Sequence, residues 1–249
     1  MRYKGLTTRD YLILQHIKVN KNTSVLEIGI GTGTIIEKLS KNIRKYVGID
    51  ISEPLIQYLN KIYSKSKNVV LQFLNVCSNS NLGEKFDIII SADTLEHVIL
   101  PDNFFLFISR HLLSGGRAII TYPNESKDSH HGITWFNNKS ELLKTIDASG
   151  LKLEYIYEVK ETKWNVGVRK ILWSFPRAVI LKIKNNKNLP QSFEQTYAFQ
   201  IARTNGITNI LYEVWAIIVT KLASLFDMYR LIPVEDEIKN RRLLLSLTK

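Results

Sequence analysis

The run Val25-Leu26-Glu27-Ile28-Gly29-Ile30-Gly31-Thr32-Gly33 constrains this chain more than any other stretch. A short apolar segment leads directly into three glycines at alternate positions, and Thr34 then opens a helical pattern. Glycine allows the tight turn from a buried strand into a helix, and its missing Cβ lets a ligand lie against the backbone. A second apolar run, Tyr46–Asp50, ends in an acid 17 residues past Gly33. A carboxylate at such a strand tip accepts hydrogen bonds from the two hydroxyls of an adenosine ribose.

Two cofactor classes use this arrangement. A dinucleotide fingerprint reads G-x-G-x-x-G. Here the third glycine comes one residue early, and Thr34 stands in its place. Glu27 also precedes the loop, where it repels a pyrophosphate and suits a cationic amino-acid group. Both departures point away from a nicotinamide dinucleotide and toward S-adenosylmethionine.

The first 160 residues alternate strand and helix patterns. Strands are expected at Val25–Ile28, Tyr46–Asp50, Val69–Leu74, Phe86–Ser91, Arg117–Tyr122 and Leu153–Val159. Helices are expected at Thr34–Asn42, Glu53–Ser64, Asn103–Leu113 and Lys139–Ser149, with Gly115-Gly116 stopping the third. Residues 1–24 read as a short packing helix. Such alternation specifies an α/β fold with a mostly parallel sheet, ligands binding where the strand order reverses. After residue 160 the alternation stops. Helices are expected around Val168–Lys184 and Thr208–Tyr229, and Arg242–Lys249 reads as a last strand. The expected organisation is a core over 1–160, a helical insertion over 161–238, and a final core strand over 239–249.

The motifs resemble those of class I S-adenosylmethionine-dependent methyltransferases, in the small-molecule branch that includes ubiquinone O-methyltransferases. EIGIGTG resembles the first motif and VGIDIS the second. FDIIISADTLEHV resembles the fourth-strand block, and LLSGGRAIITYP the helix-turn-strand after it. The resemblance implies a Rossmann-like, doubly wound, mostly parallel seven-stranded sheet with a helical insertion before the last strand. It implies that Glu27, Gly29, Ile30, Gly31 and Gly33 meet the methionine end of S-adenosylmethionine. Asp50 would hold the ribose and Ile51 pack on the adenine. Asn75, beside Val76, would face the adenine amino group in place of the family's usual acid. Ala92 and Asp93 would line the methionine side.

Methyl transfer from a sulfonium needs positioning of the acceptor and, for some acceptors, removal of a proton. His97 and the pair His130-His131 fall in loops at the cofactor edge, and His97 and His131 are the expected bases. His16 and His111 fall in helices and are expected to be structural. Asp93-x-x-Glu96-His97 resembles runs that bind a divalent ion in some methyltransferases, but the Leu-Glu-His-Val run also occurs without metal, and no metal site is assigned. Ser91-Ala92-Asp93-Thr94 lacks the Pro-Pro-aromatic run of enzymes that methylate DNA bases, which excludes that class. The expected acceptor is a small molecule, methylated on an oxygen of a lipid-linked, quinone-type or sugar substrate. The competing readings are an enzyme acting on RNA or protein, an inactive cofactor-binding module, or a nicotinamide oxidoreductase.

Net charge is +11, and residues 160–189 hold eight basic residues against Glu161. That stretch is expected to meet an anionic membrane surface or to be ordinary solvated surface. Nucleic acid is disfavoured, because no RNA-binding module is visible. The apolar spacing of Ile210, Val214, Ile217, Ile218 and Leu222 fits core packing or a homodimer contact. A single cysteine, Cys77, fits a reducing cytoplasm. No signal peptide is read at residues 1–24. The 207–226 stretch is broken by Glu213 and Lys221, so no membrane span is expected there.

Overall fold

A computed structural model describes residues 8–78, 80–124, 135–174, 218, 222, 226, 228–239 and 241–249. Eight strands form one sheet: β1 (Ser24–Ile28), β2 (Lys45–Asp50), β3 (Val69–Phe73), β4 (Phe86–Ala92), β5 (Leu112–Asn124), β6 (Lys152–Glu161), β7 (Tyr229–Pro233) and β8 (Arg241–Thr248). Their order is β3-β2-β1-β4-β5-β8-β6-β7. The first five pair in parallel, and β8 runs antiparallel between β5 and β6. The helices are α1 (Thr8–His16), α2 (Thr34–Leu39), α3 (Glu53–Tyr63), α4 (Pro101–His111), α5 (Lys139–Ala148) and α6 (Lys163–Arg169).

The apolar runs explain the layering. Every residue of β1 is buried, as are Ile88–Ala92 of β4, because helices cover both faces of a parallel sheet. Leu26, Ile28, Val47, Ile49, Ile89 and Ile120 join Phe104, Phe105 and Ile108 of α4 in one core. β8 completes it: Leu243, Leu244, Leu245 and Leu247 have no exposed surface. From β1 the chain builds outward through β2 and β3, then returns to lay β4 and β5 on the other side. The strand order therefore reverses between β1 and β4, which opens a crevice at their carboxyl ends.

The seven expected strands are present, and β7 makes an eighth at the sheet margin. Tyr229, expected to end a helix, instead begins this strand. Its Tyr-Arg-Leu-Ile-Pro sequence suits an edge, where Pro233 need not donate to a ladder. A second correction concerns Gly115-Gly116. α4 ends at His111, and both glycines lie inside β5. A Cβ on Gly116 would come within 3.0 Å of the Asp87 carbonyl, so this glycine permits close strand approach instead of capping a helix.

Arg9–Lys160 and Leu231–Lys249 form one compact unit. The described residues of Glu161–Arg230 belong to a second unit. There the Thr162 side chain caps α6 by accepting from the Asn165 amide, and the Trp164 ring stands edge-on to Phe226 at 5.0 Å. Both expected long helices lie largely outside the described residues, as does half of the basic 160–189 stretch, residues 175–189. Among the described residues no helix is long and apolar enough to cross a membrane.

Candidate functional site

The glycine loop is fastened to the tips of three strands. Gly29, Gly31 and Gly33 have φ of 74°, 50° and 75°. The amides of Gly29 and Ile30 donate to the Ile49 carbonyl at 2.9 and 3.2 Å, which ties the loop to β2. On the other side, Thr94 Oγ1 at the tip of β4 donates to the Ile28 carbonyl at 3.3 Å. A Cβ on Gly29 would lie 2.2 Å from that hydroxyl, so only glycine fits. At Gly31 the nearest neighbour of an added Cβ is the Gly29 carbonyl oxygen at 3.9 Å, which leaves that part of the backbone open.

Asp50 closes β2. Its Oδ2 accepts from the Gly31 amide at 3.1 Å and its Oδ1 from the Ser52 amide at 2.9 Å. Each oxygen keeps a lone pair for a further donor. Ile51, next in sequence, is 65% exposed, an apolar side chain standing in solvent beside that carboxylate.

Glu27 lies below the loop and is 2% exposed. Its Oε2 is buried and has no hydrogen-bond partner. Burial drives its pKa well above the usual carboxylate range; Asp10 adds to the rise, Arg9 opposes it, and Asp50 adds a little more. Arg9 and Asp10 come from α1. Arg9 Nη1 lies 3.5 Å from Asp93, and its buried Nε lies 3.5 Å from Asp10 without making a hydrogen bond. Burial opposes the Arg9 charge, but Asp93 and Asp10 outweigh it and raise the pKa. Asp10 is buried and accepts from Thr34 Oγ1 at 3.2 Å, which joins α1 to the start of α2.

Across the crevice, Asp93 follows β4. It is the one non-glycine residue with positive φ among the described residues, at 50°. Its amide donates to the Thr121 carbonyl and Oγ1, both at 3.1 Å, and its Oδ1 accepts from the Thr121 hydroxyl at 2.8 Å. Its Oδ2 accepts from Arg242 of β8 at 2.6 Å. The Asp93 carboxylate is therefore engaged by the protein itself. Glu96, in the 3₁₀ turn Leu95–His97, is 4% exposed, with a buried and unpartnered Oε2. Burial, then Asp93, raises its pKa to about 8, against a lowering pull from Arg242 and Arg9.

His97 is 59% exposed, with Nε2 3.9 Å from Glu96 Oε1. His131, with His130, lies outside the described residues. Asn75 is exposed, and its Oδ1 accepts from the Cys77 amide at 2.9 Å; Val76 and Ala92 are buried. Among the described residues no three His, Cys, Asp or Glu side chains converge as a metal-ligand set, so Asp93, Glu96 and His97 do not come together as one. His111 is buried within α4, with Nδ1 2.7 Å from the Phe107 carbonyl and Nε2 accepting from the Leu82 amide at 3.0 Å, a packing role. His16 Nδ1 makes a similar contact with the Leu12 carbonyl at 2.8 Å.

Sequence reading missed Arg9, Asp10, Thr121 and Arg242. No spacing rule links them to the glycine loop. The only signal is a pair of adjacent charges, Arg9-Asp10, at the start of an otherwise apolar helix face, with Asp10 wholly buried.

Comparison with known proteins bears on the family and the fold. A family model described as a methyltransferase domain matches residues 9–155. The ubiquinone biosynthesis O-methyltransferase of Dictyostelium discoideum is 28% identical over 137 residues, 47% of this chain and 43% of that protein. The enzyme of that name from Pelagibacter ubique is 30% identical over 124 residues, 49% of this chain and 51% of that protein. The chain thus spans about half the length of the curated relatives it matches. Among solved structures, Haemonchus contortus phosphoethanolamine N-methyltransferase 2, in complex with S-adenosylmethionine, superposes with a TM-score of 0.55 at 17% identity, covering 96% of this chain and 52% of that one. The [4+2]-cyclase SpnF superposes with a TM-score of 0.57 at 15% identity, covering 96% and 79%.

Proposed function

The chain belongs to the methyltransferase domain family, and from that premise we propose that it transfers the methyl group of S-adenosylmethionine to an oxygen of a small-molecule acceptor of lipid-linked, quinone-type or sugar chemistry. The observation that carries this reading is a complementary pair of buried groups. Glu27 Oε2 and Arg9 Nε are both buried without a hydrogen bond, Arg9 Nε standing 3.5 Å from Asp10 Oδ1, and an amino acid supplies one ammonium and one carboxylate to meet them. The fold alone carries less, because a protein described as a cyclase shares it.

In this reading Glu27 takes the ammonium and Arg9 the carboxylate of the methionine end. The open backbone at Gly31, with Ile30 and Gly33 on either side, lets the cofactor approach the loop. Gly29 holds the loop against Thr94. Asp50 accepts from the ribose hydroxyls through its remaining lone pairs. Ile51 covers one adenine face, with Val76 below it, and Asn75 accepts from the adenine amino group. Ala92 and the Asp93 backbone line the methionine side. When bound, S-adenosylmethionine would supply an electrophilic methyl group on its sulfonium, with neutral S-adenosylhomocysteine as the leaving group. His97, exposed at the same edge, takes the acceptor proton, and His131 is the second candidate for that step.

The name shared by the two curated relatives supports oxygen as the acceptor atom. The test is calorimetric titration with S-adenosylhomocysteine, with NADH in parallel. Binding of the first alone is the expected result. Binding of NADH, or of neither, removes the reading. With binding in hand, turnover of hydroxylated quinone precursors, lipids and sugars tests the acceptor class.

A further inference from the structure

We propose that Arg242, on the last strand, is a positioning residue of the cofactor site: it holds Asp93 in its left-handed conformation and keeps Arg9 from settling onto the Asp93 carboxylate. The inference rests on the proposed cofactor site. It concerns a residue beyond the 9–155 stretch that the family model matches.

A non-glycine residue at φ of 50° is strained and persists only where its surroundings over-determine it. Thr121 supplies three of the ties on Asp93, and Arg242 supplies the shortest. Two guanidinium groups share Asp93 Oδ2. Arg242 stands at 2.6 Å, a charge-assisted hydrogen bond, whereas Arg9 stands at 3.5 Å, beyond that range. Arg242 therefore takes most of the carboxylate's charge, and Arg9 Nη1 stays at ion-pair distance from it, while Arg9 Nε, 3.5 Å from Asp10, makes no hydrogen bond. Without Arg242, Asp93 has Arg9 as its nearest cation and loses the tie that offsets its backbone strain. Arg9 is then drawn away from a ligand carboxylate, and the β4 tip relaxes toward ordinary φ.

Titration with S-adenosylhomocysteine tests this. Arg242→Ala should weaken binding about 30-fold, the equivalent of a lost charged contact. Arg242→Lys should keep affinity within about fivefold of the natural protein, since it restores the charge but not the fork. Guanidinium ion at about 10 mM, far below the molar range that unfolds proteins, should recover most of the loss in the alanine variant. Arg241→Ala is the control: Arg241 pairs with Glu158 at 2.8 Å and Glu237 at 3.7 Å, so binding should stay within about twofold. If Arg242→Ala fails to fold, Thr121→Val loosens the same carboxylate and should weaken binding about fivefold. Unchanged affinity in either variant overturns the inference, as does a loss that neither lysine nor guanidinium spares. A natural protein that does not bind S-adenosylhomocysteine removes the proposed function itself, a separate outcome.

Discussion

The two banks of the crevice are built on opposite electrostatic terms. On the β1–β2 bank, Glu27 keeps an unpartnered oxygen, Asp50 accepts only backbone amides, and Ile51 stands in solvent. On the β4–β5–β8 bank, Asp93 is held by hydrogen bonds from Thr121 and Arg242, with Arg9 at 3.5 Å. The first bank has bonding capacity left for a ligand. On the second, Asp93 spends its capacity on holding a strained shape, while Glu96 Oε2 and Ser91 Oγ remain buried without a hydrogen bond. A buried polar group without a partner costs free energy, so a ligand that meets it stabilises the open bank.

The sharpest way to break the contrast is at the contact between the banks. Gly29→Ala puts a Cβ 2.2 Å from Thr94 Oγ1 at a position with φ of 74°. We expect at least a 100-fold loss of S-adenosylhomocysteine affinity and destabilisation of about 2–4 kcal/mol. Calorimetry and thermal unfolding check this, and natural values for both would mean that the loop and Thr94 do not pack as described. Next comes Asp50→Ala. If the open bank holds the ribose, affinity should fall about 50-fold. Unchanged affinity refutes the ribose assignment and leaves Asp50 as a brace for Gly31 and Ser52.

The open bank was largely legible in the sequence, and the other was not. Glycine spacing, the Glu27 position and the acid at the end of β2 are all local patterns, because one strand-turn-helix places them. The same applies to the parallel strands, whose apolar runs announce burial on both faces. Arg242 lies 149 residues from Asp93, and the two meet only because β8 inserts antiparallel beside β5. Nothing in either residue's neighbourhood encodes that meeting. Arg9 and Asp10 fell within a stretch read only as a short packing helix, since a buried charge is visible only once its partners are placed. β7 escaped notice because five residues at a sheet edge carry little pattern.

Glu27 and Glu96 separate the banks by their response to pH. Glu27 is buried with its pKa raised, so in the free protein it tends to hold a proton. Receiving an ammonium requires the carboxylate. Affinity for S-adenosylhomocysteine should therefore rise with pH above the ordinary carboxylate value of about 4.3, and binding should release a proton. Titrations in buffers of different ionisation enthalpy read that proton directly. Glu27→Gln should bind about tenfold more weakly at high pH and lose the pH slope. A slope that survives the substitution assigns the proton elsewhere.

Glu96 gives the smallest expected effect and acts on stability. Its folded-state pKa of about 8 lies above the unfolded value, so the folded form favours the protonated acid. That contribution is fully present below about pH 4.3 and is lost progressively as pH rises toward 8. The free protein should thus be less stable at pH 8 than at pH 5 on account of this residue. Relaxation and the neighbouring guanidinium groups hold the difference to about 1–3 kcal/mol, less than the full shift implies at about 1.4 kcal/mol per unit. Glu96→Gln keeps the shape and removes the charge, so its denaturation midpoint at pH 8 should exceed that of the natural protein, while the two converge at pH 5. The pH dependence must also steepen in the Arg242→Ala background, because Arg242 is one of the cations that lower the Glu96 pKa. Equal pH profiles for Glu96→Gln and the natural protein would mean that Glu96 is already ionised and solvated, and the contrast between the banks would then rest on Asp93 alone.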